Sequence, residues 1–266
     1  KNFPEIIAYC RQLQPTIKKY LPLHLDGELV ILNNRYQANF AFIQKRGRLK
    51  SKEKIDKLAV NRPATFMIFD LLQIEGKSII HKSLEERKSL LHELFSKRNV
   101  HERLQLVESF STYETIARIV YEYKGEGIVA KRKMSKYLAG KKHRDWWKEK
   151  NWRKIHAFLT AFDPRNDYFE VSIFHGEKIE TIGKCKHGLS SDTFHTVKKF
   201  FVANGERIAD RYQLPPAICA EIFTLDLLGG ELREPQFANI LPEDKANDCT
   251  KERLQIDLAM LPDVGL

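Results

Sequence analysis

The chain has 266 residues, 42% hydrophobic and 30% charged, enough for two modest domains with cores of their own. Lys+Arg 45 against Asp+Glu 35 gives a formal charge of +10, which favours a nucleic acid or phosphorylated partner. No apolar run approaches the length of a membrane span and Lys1-Asn-Phe-Pro lacks a signal-peptide core; Cys10, Cys185, Cys219 and Cys249 form no C-x-x-C pair, which speaks against a zinc ribbon or disulfide framework.

Residues 4–20 read as a helix, with Pro4 in the first turn and Ile6, Ile7, Cys10 and Leu13 at helical spacing. Leu21 to Leu32 reads as a strand with a local kink at Asp26-Gly27. Residues 40–60 are basic and polar, expected as loop and short helix. Thr65 to Leu72 is a dense apolar run that suits a buried strand. Ser83-Leu-Glu-Glu86 is a capping box, and Leu84, Leu90, Leu91, Leu94 and Phe95 form the buried stripe of the helix it opens. Thr112 to Tyr123 is a second amphipathic helix, with Ile116, Ile119, Val120 and Tyr123 on one face. Gly125 and Gly127 end it, and strands follow at 128–131 and 146–150. After residue 153 the rhythm changes to short alternating segments, 156–163, 168–175 and 178–184, with one helix near 191–204 and a last clear strand at 217–227. Its apolar set is Phe194, Val197, Phe200 and Phe201. This is the pattern of a small β-barrel or meander.

Charge is uneven. Between Lys124 and Lys154 twelve Lys and Arg residues face Glu126, Asp145 and Glu149 alone. In Glu126-Gly-Ile-Val-Ala-Lys131, the two flanking glycines let backbone approach a ligand, Glu126 offers a hard oxygen for Mg²⁺, and Lys131 shares a strand face with Val129. Trp146, Lys148 and Lys150 share a face of the next strand. Lysines turned inward repel one another unless an anion lies between them; the bland reading is a solvated edge strand. In Leu25-Asp-Gly-Glu-Leu-Val30, Glu28 could reach a ribose or a metal, although an Asp-Gly pair alone more often marks a turn. In Phe66-Met-Ile-Phe-Asp-Leu-Leu72 a phenyl ring could stack on a purine, a contact worth ~1–3 kcal/mol, or simply fill the core. The histidines, His24, His156 and His187 among them, show no metal spacing.

Taken in order, the D-G-E, F-D-L-L, E-G-I-V-A-K and W-x-K-x-K segments resemble four motifs of the covalent nucleotidyltransferases, most closely the ATP-dependent DNA ligases of the bacterial end-joining (ligase D, Bacillus-like) type. Leu232-Arg-Glu-Pro-Gln-Phe237 to Asp244-Lys245 resembles that family's last motif. The resemblance implies an α+β fold: a nucleotidyltransferase (ATP-grasp-like DNA ligase adenylation) domain over 1–153, lacking its first strands, an OB-fold barrel over 154–252, and a linker over 253–266 leading towards a downstream polymerase domain.

The resemblance also implies roles. Glu28 would contact the ribose or the metal, and Phe69 would pack on the adenine. Glu126 would support Mg²⁺ or Mn²⁺. Lys131, Lys142, Lys148 and Lys150 would hold the phosphates of ATP. Arg233, Asp244 and Lys245 would orient the pyrophosphate. Partners implied are duplex DNA with nicks or ends and an end-binding protein such as Ku, acting on a monomer in the bacterial cytoplasm at the nucleoid. Two departures stand out. The family's nucleophilic lysine lies in a K-x-D-G-x-R segment that these 266 residues do not contain, so the chain reads as a piece of a longer protein, unable by itself to form a lysyl-adenylate. The final D-K pair is preceded by Leu241-Pro-Glu where the family carries an Arg. RNA ligases and capping enzymes share the scaffold, and a non-catalytic nucleic-acid clamp is the competing class.

Overall fold

The structure, a computed structural model, describes residues 1–96, 102–140, 144–241 and 246–260. Its contacts divide the chain into two units, Lys1–Glu149 and Lys150–Leu266. The division falls a few residues before the change of rhythm at 153. No helix among the described residues is long and apolar enough to cross a membrane, which says nothing of a β-barrel.

The first unit opens with α1 (Pro4–Leu13). The helix expected over 4–20 stops there, and the chain continues through turns into a short 3-10 segment, Lys18–Tyr20. β1 (His24–Val30) follows, then two helices, α2 (Phe40–Gly47) and α3 (Lys52–Asn61), where loop and short helix were expected. Asn39 and Ser51 cap them by accepting the N–H of Phe42 and Lys54. One buried guanidinium holds this region together. Arg46 donates to Glu5 at 2.9 and 3.1 Å and to the carbonyls of Asn2, Leu58 and Arg62, so α1 is tied to both later helices.

β2 (Thr65–Ile74) is the central strand. It pairs antiparallel with β1 and parallel with β3 (Leu104–Leu106). α4 (Leu84–Ser96) lies against it, and Ile68, Leu71, Leu91, Leu94, Phe95 and Leu104 close the apolar core between them. α5 (Tyr113–Glu122) packs Ala117 and Val120 on Ile128 of β4 (Gly127–Lys131), while Tyr123, expected on the buried face, is exposed. β5 (Trp146–Lys150) pairs with β4.

The second unit is a curled antiparallel sheet with α6 (Ser191–Asn204) and α7 (Lys251–Ala259) against it. Its main strands are β6 (Arg153–Asp163), β7 (Tyr168–His175), β8 (Lys178–Cys185), β9 (Arg211–Thr224) and β10 (Gln236–Leu241). They lie in the order β8-β7-β6-β9-β10, and α6 connects β8 to the strands that follow. That order, with a helix after the third strand, is the arrangement of an OB-fold. Phe169 sits at its centre, fully buried, with the rings of Phe162, Phe194, Phe201 and Phe237 at 4.9 to 6.0 Å. Phe200, read as part of the buried set of α6, is exposed. The strand read at 217–227 is in fact the longer β9, and β10 lies beyond it.

Residues 253–259 of the linker expected over 253–266 lie in α7, and 261–266 lie outside the described residues. Buried Asp257 accepts the backbone N–H of His156 at 3.0 Å and the Arg253 Nε at 2.7 Å, and Leu254 enters the apolar core. The periodicity of so short and charged a helix is weak, which is why the sequence concealed it. Cys10 is exposed, the other three thiols are buried, and none of the four is in a disulfide.

Candidate functional site

The D-G-E segment is part of β1 rather than a turn. A bulge between Asp26 and Gly27 shifts its register against β2, placing Asp26 opposite Asp70 and Gly27 opposite Ile68. Gly27 is required by space: a Cβ there would lie 2.5 Å from the Met67 carbonyl oxygen and 2.7 Å from the Phe66 ring. With the register shifted, Phe66, Ile68 and Leu71 of β2 pack into the apolar core. Phe69 meets polar neighbours instead.

Asp70 is the first of these neighbours. It is fully buried, and so is Arg87 of α4, which grips it with Nε at 2.8 Å and Nη2 at 2.9 Å. The third nitrogen, Nη1, donates to the carbonyls of Lys82 and Ser135. A bidentate pair whose third nitrogen also finds acceptors is the form in which a buried ion pair is tolerated.

The segment between β4 and β5 is stitched onto the start of α4. The N–H groups of Leu84 and Glu85, which have no acceptor within the helix, donate to Ser135 and Lys133 carbonyls at 2.9 and 3.0 Å. The capping box completes the set: Glu86 N–H donates to Ser83 Oγ, and the Glu86 carboxylate accepts from the Ser83 N–H. Tyr137 is held by its N–H on the Ile80 carbonyl. Its hydroxyl donates to Asp26 Oδ2 at 2.8 Å, and the Arg87 guanidinium lies 5.8 Å from its ring centre. Burial and then the Asp26 carboxylate push the Tyr137 hydroxyl up to about 12, so it stays a donor.

Lys131 ends β4 in the middle of this group. Its ammonium lies 3.9 Å from the Trp146 ring centre and 4.5 Å from that of Phe69, and the two rings meet edge to face at 6.4 Å. Tyr137 meets Trp146 edge-on at 6.2 Å. Burial lowers the Lys131 ammonium to about 8, against the opposing pull of Asp70 and Asp26. The result is a half-buried cation between two aromatic faces, backed by two carboxylates. Chemically it suits a ligand that joins a flat ring to a phosphate.

The other residues singled out from the sequence lie in different surroundings. Glu28 is exposed on β1, opposite Met67; Glu126 is exposed in the turn before β4; Lys148 is exposed on β5. Lys150, in the second unit, pairs with Glu234. Arg233 also lies in the second unit, where its N–H donates to the Asp226 carbonyl and its own carbonyl accepts from Leu225 and Thr224. Lys142, Asp244 and Lys245 lie outside the described residues. Among the described residues no three His, Cys, Asp or Glu side chains gather into a metal site. A divalent ion would draw on the exposed carboxylates Glu126 and Glu28 together with the phosphates of its ligand.

Asp70, Arg87 and Tyr137 were not singled out from the sequence. A signal existed for the first two. Asp70 interrupts an apolar run, and Arg87 falls between Leu84 and Leu91 on the buried stripe of α4. A charge in each of two apolar patterns asks for a partner. Tyr137 has no such signal, because its segment has no period.

Residues 1–150 match the family model for the ATP dependent DNA ligase domain. The chain is 33% identical over 258 residues to the bifunctional non-homologous end joining protein LigD of Bacillus subtilis, covering 94% of this chain and 42% of that protein. It is 24% identical over 222 residues to DNA ligase 4 of Aspergillus oryzae, covering 82% of this chain and 20% of that one. The chain thus spans less than half the length of these relatives. Among solved structures, a Lig E DNA ligase, described as DNA binding with a minimal scaffold, matches with a TM-score of 0.53 at 16% identity, over 82% of this chain and 76% of that one. At that identity the likeness is one of fold alone.

Proposed function

The chain belongs to the family of ATP-dependent DNA ligase domains, and we propose that the protein carrying it seals DNA breaks at the expense of ATP, as part of end joining. The observation that carries this reading is the Lys131 ammonium, set between Phe69 and Trp146 and backed by Asp70 and Asp26. A stacking ring beside a dehydrated cation is what adenine and its phosphates require.

In this reading Phe69 packs on the adenine and Lys131 takes phosphate oxygens. Glu28 holds the ribose or a metal, and Glu126 supports Mg²⁺ or Mn²⁺. Lys142, Lys148 and Lys150 add positive charge along the phosphates. Arg233, Asp244 and Lys245 orient the departing pyrophosphate. The divalent ion, when bound, supplies further charge neutralisation at phosphorus. The chain's own work is positioning and electrostatics, which dominate phosphoryl and nucleotidyl transfer. The basic surface grips the duplex backbone without reading sequence, so binding falls steeply with salt. A Ku-like end-binding protein recruits the enzyme to breaks in the bacterial cytoplasm.

The test is adduct formation. Full-length protein incubated with labelled ATP and Mg²⁺ is expected to carry acid-stable, hydroxylamine-sensitive AMP, and to pass it to nicked DNA in preference to nicked RNA. No adduct under any metal would end the proposal, and preference for RNA would move it to the RNA ligases. The 266 residues alone, with no K-x-D-G segment, are expected to remain unlabelled.

A further inference from the structure

Phe69 and Lys131 have roles in the reading above; Trp146 and Tyr137 have none. Yet Trp146 makes the shortest ring contact to the Lys131 ammonium, and Tyr137 touches Trp146 on one side and Asp26 on the other. We propose that Trp146 is a positioning residue for Lys131, holding its ammonium out of water where nucleotide phosphate is received, and that Tyr137 braces the indole in that position. The proposal rests on the nucleotide reading of this site and adds to it how the cation is prepared.

A lysine ammonium in water must shed its shell before it can contact a phosphate closely, and the shed water is a cost to binding. Here the indole and phenyl faces replace part of that shell. The position is not free to relax, because the brace is tied at both ends. Tyr137 is held by its backbone on Ile80 and by its hydroxyl on Asp26, and the adjoining segment is fixed to α4. The charges around the ammonium come from three elements. Asp26 on β1 and Asp70 on β2 favour the charged form, whereas Arg87 and Lys88 on α4 oppose it. Lys88 is itself largely buried, and burial lowers its ammonium too. Desolvation outweighs these charges at Lys131, which therefore holds its proton only up to about pH 8.

The sign follows. A phosphate ligand needs the charged form, so nucleotide affinity is at its fullest below about pH 8 and falls by about tenfold per pH unit above it. Opening the cage to water moves that limb back towards the ordinary lysine value of 10.5.

The experiment is a pH titration of full-length protein carrying ¹³Cε-labelled lysine, with Lys131 assigned through Lys131→Arg, in parallel with calorimetric ATP binding from about pH 6.5 to about 9.5. In the parent, the Lys131 resonance is expected upfield from the ring currents and titrating near pH 8. Trp146→Ala should abolish the upfield shift and raise the titration midpoint by about one unit or more, with the alkaline limb of ATP binding moving alongside it. Trp146→Phe should restore both, and Tyr137→Leu should give an intermediate result. A purely structural role for Trp146 would change melting temperature without moving the midpoint. A parent Lys131 that titrates like an exposed lysine with no ring-current shift would overturn the proposal without any variant, and so would Trp146→Ala with an unchanged midpoint. An intact cage in a protein that binds no ATP at any pH would overturn the nucleotide reading and leave the cage standing.

Discussion

The two units bury different things. At the centre of the second lies Phe169, ringed by four other phenyl groups. In the first, one side of β2 enters an apolar core, while Asp70 on the same strand is buried against Arg87, close to a half-buried lysine. Aromatic packing draws its stability mainly from area removed from water. A buried ion pair contributes little net stability but fixes where its members point. The contrast is between a ring cluster that needs only area removed from water and an ion pair whose geometry has to be held.

That contrast can be broken by substitution. The largest effect is expected from Arg87→Met, which leaves the Asp70 carboxylate buried alone and should cost about 3–5 kcal/mol in chemical denaturation. Adding Asp70→Leu should recover most of the loss while leaving ATP affinity impaired, because Lys131 loses its supporting carboxylate. If the double variant binds ATP normally, the pair is scaffold and the contrast collapses. Phe169→Ala comes next, at about 3–4 kcal/mol from lost burial and the cavity left behind. No second substitution is expected to rescue it, since no partner is left unsatisfied. Gly27→Ala should cost about 1–3 kcal/mol as β1 is pushed off β2. Because the same shift displaces Asp26, it should also weaken ATP binding beyond what the stability loss explains, read by calorimetry well below the melting temperature.

Much of the framework was legible because it is local. The capping box at Ser83, the stripe of α4, the kink at Asp26-Gly27 and the strand ending at Lys131 each follow from spacing within a few residues. The α6 helix and its flanking strands were legible for the same reason. The polar half of the site was not. Asp70 and Arg87 are 17 residues apart, Tyr137 and Asp26 are 111 apart, and no periodicity links either pair. Lys148 and Lys150 show the opposite failure. Strand alternation grouped them with Trp146, but Lys148 is exposed and Lys150 pairs with Glu234. Alternation gives the side of a strand, not what covers it.

The stitching of residues 132–137 onto α4 makes a helix depend on a loop. Two of its first amides find their acceptors only in that loop, so neither can adopt its final form without the other. Folding of the helix start and assembly of the Tyr137 brace are therefore one cooperative event. The exchange rates of the Leu84 and Glu85 amides with solvent deuterium become a gauge of how often this part of the first unit comes apart.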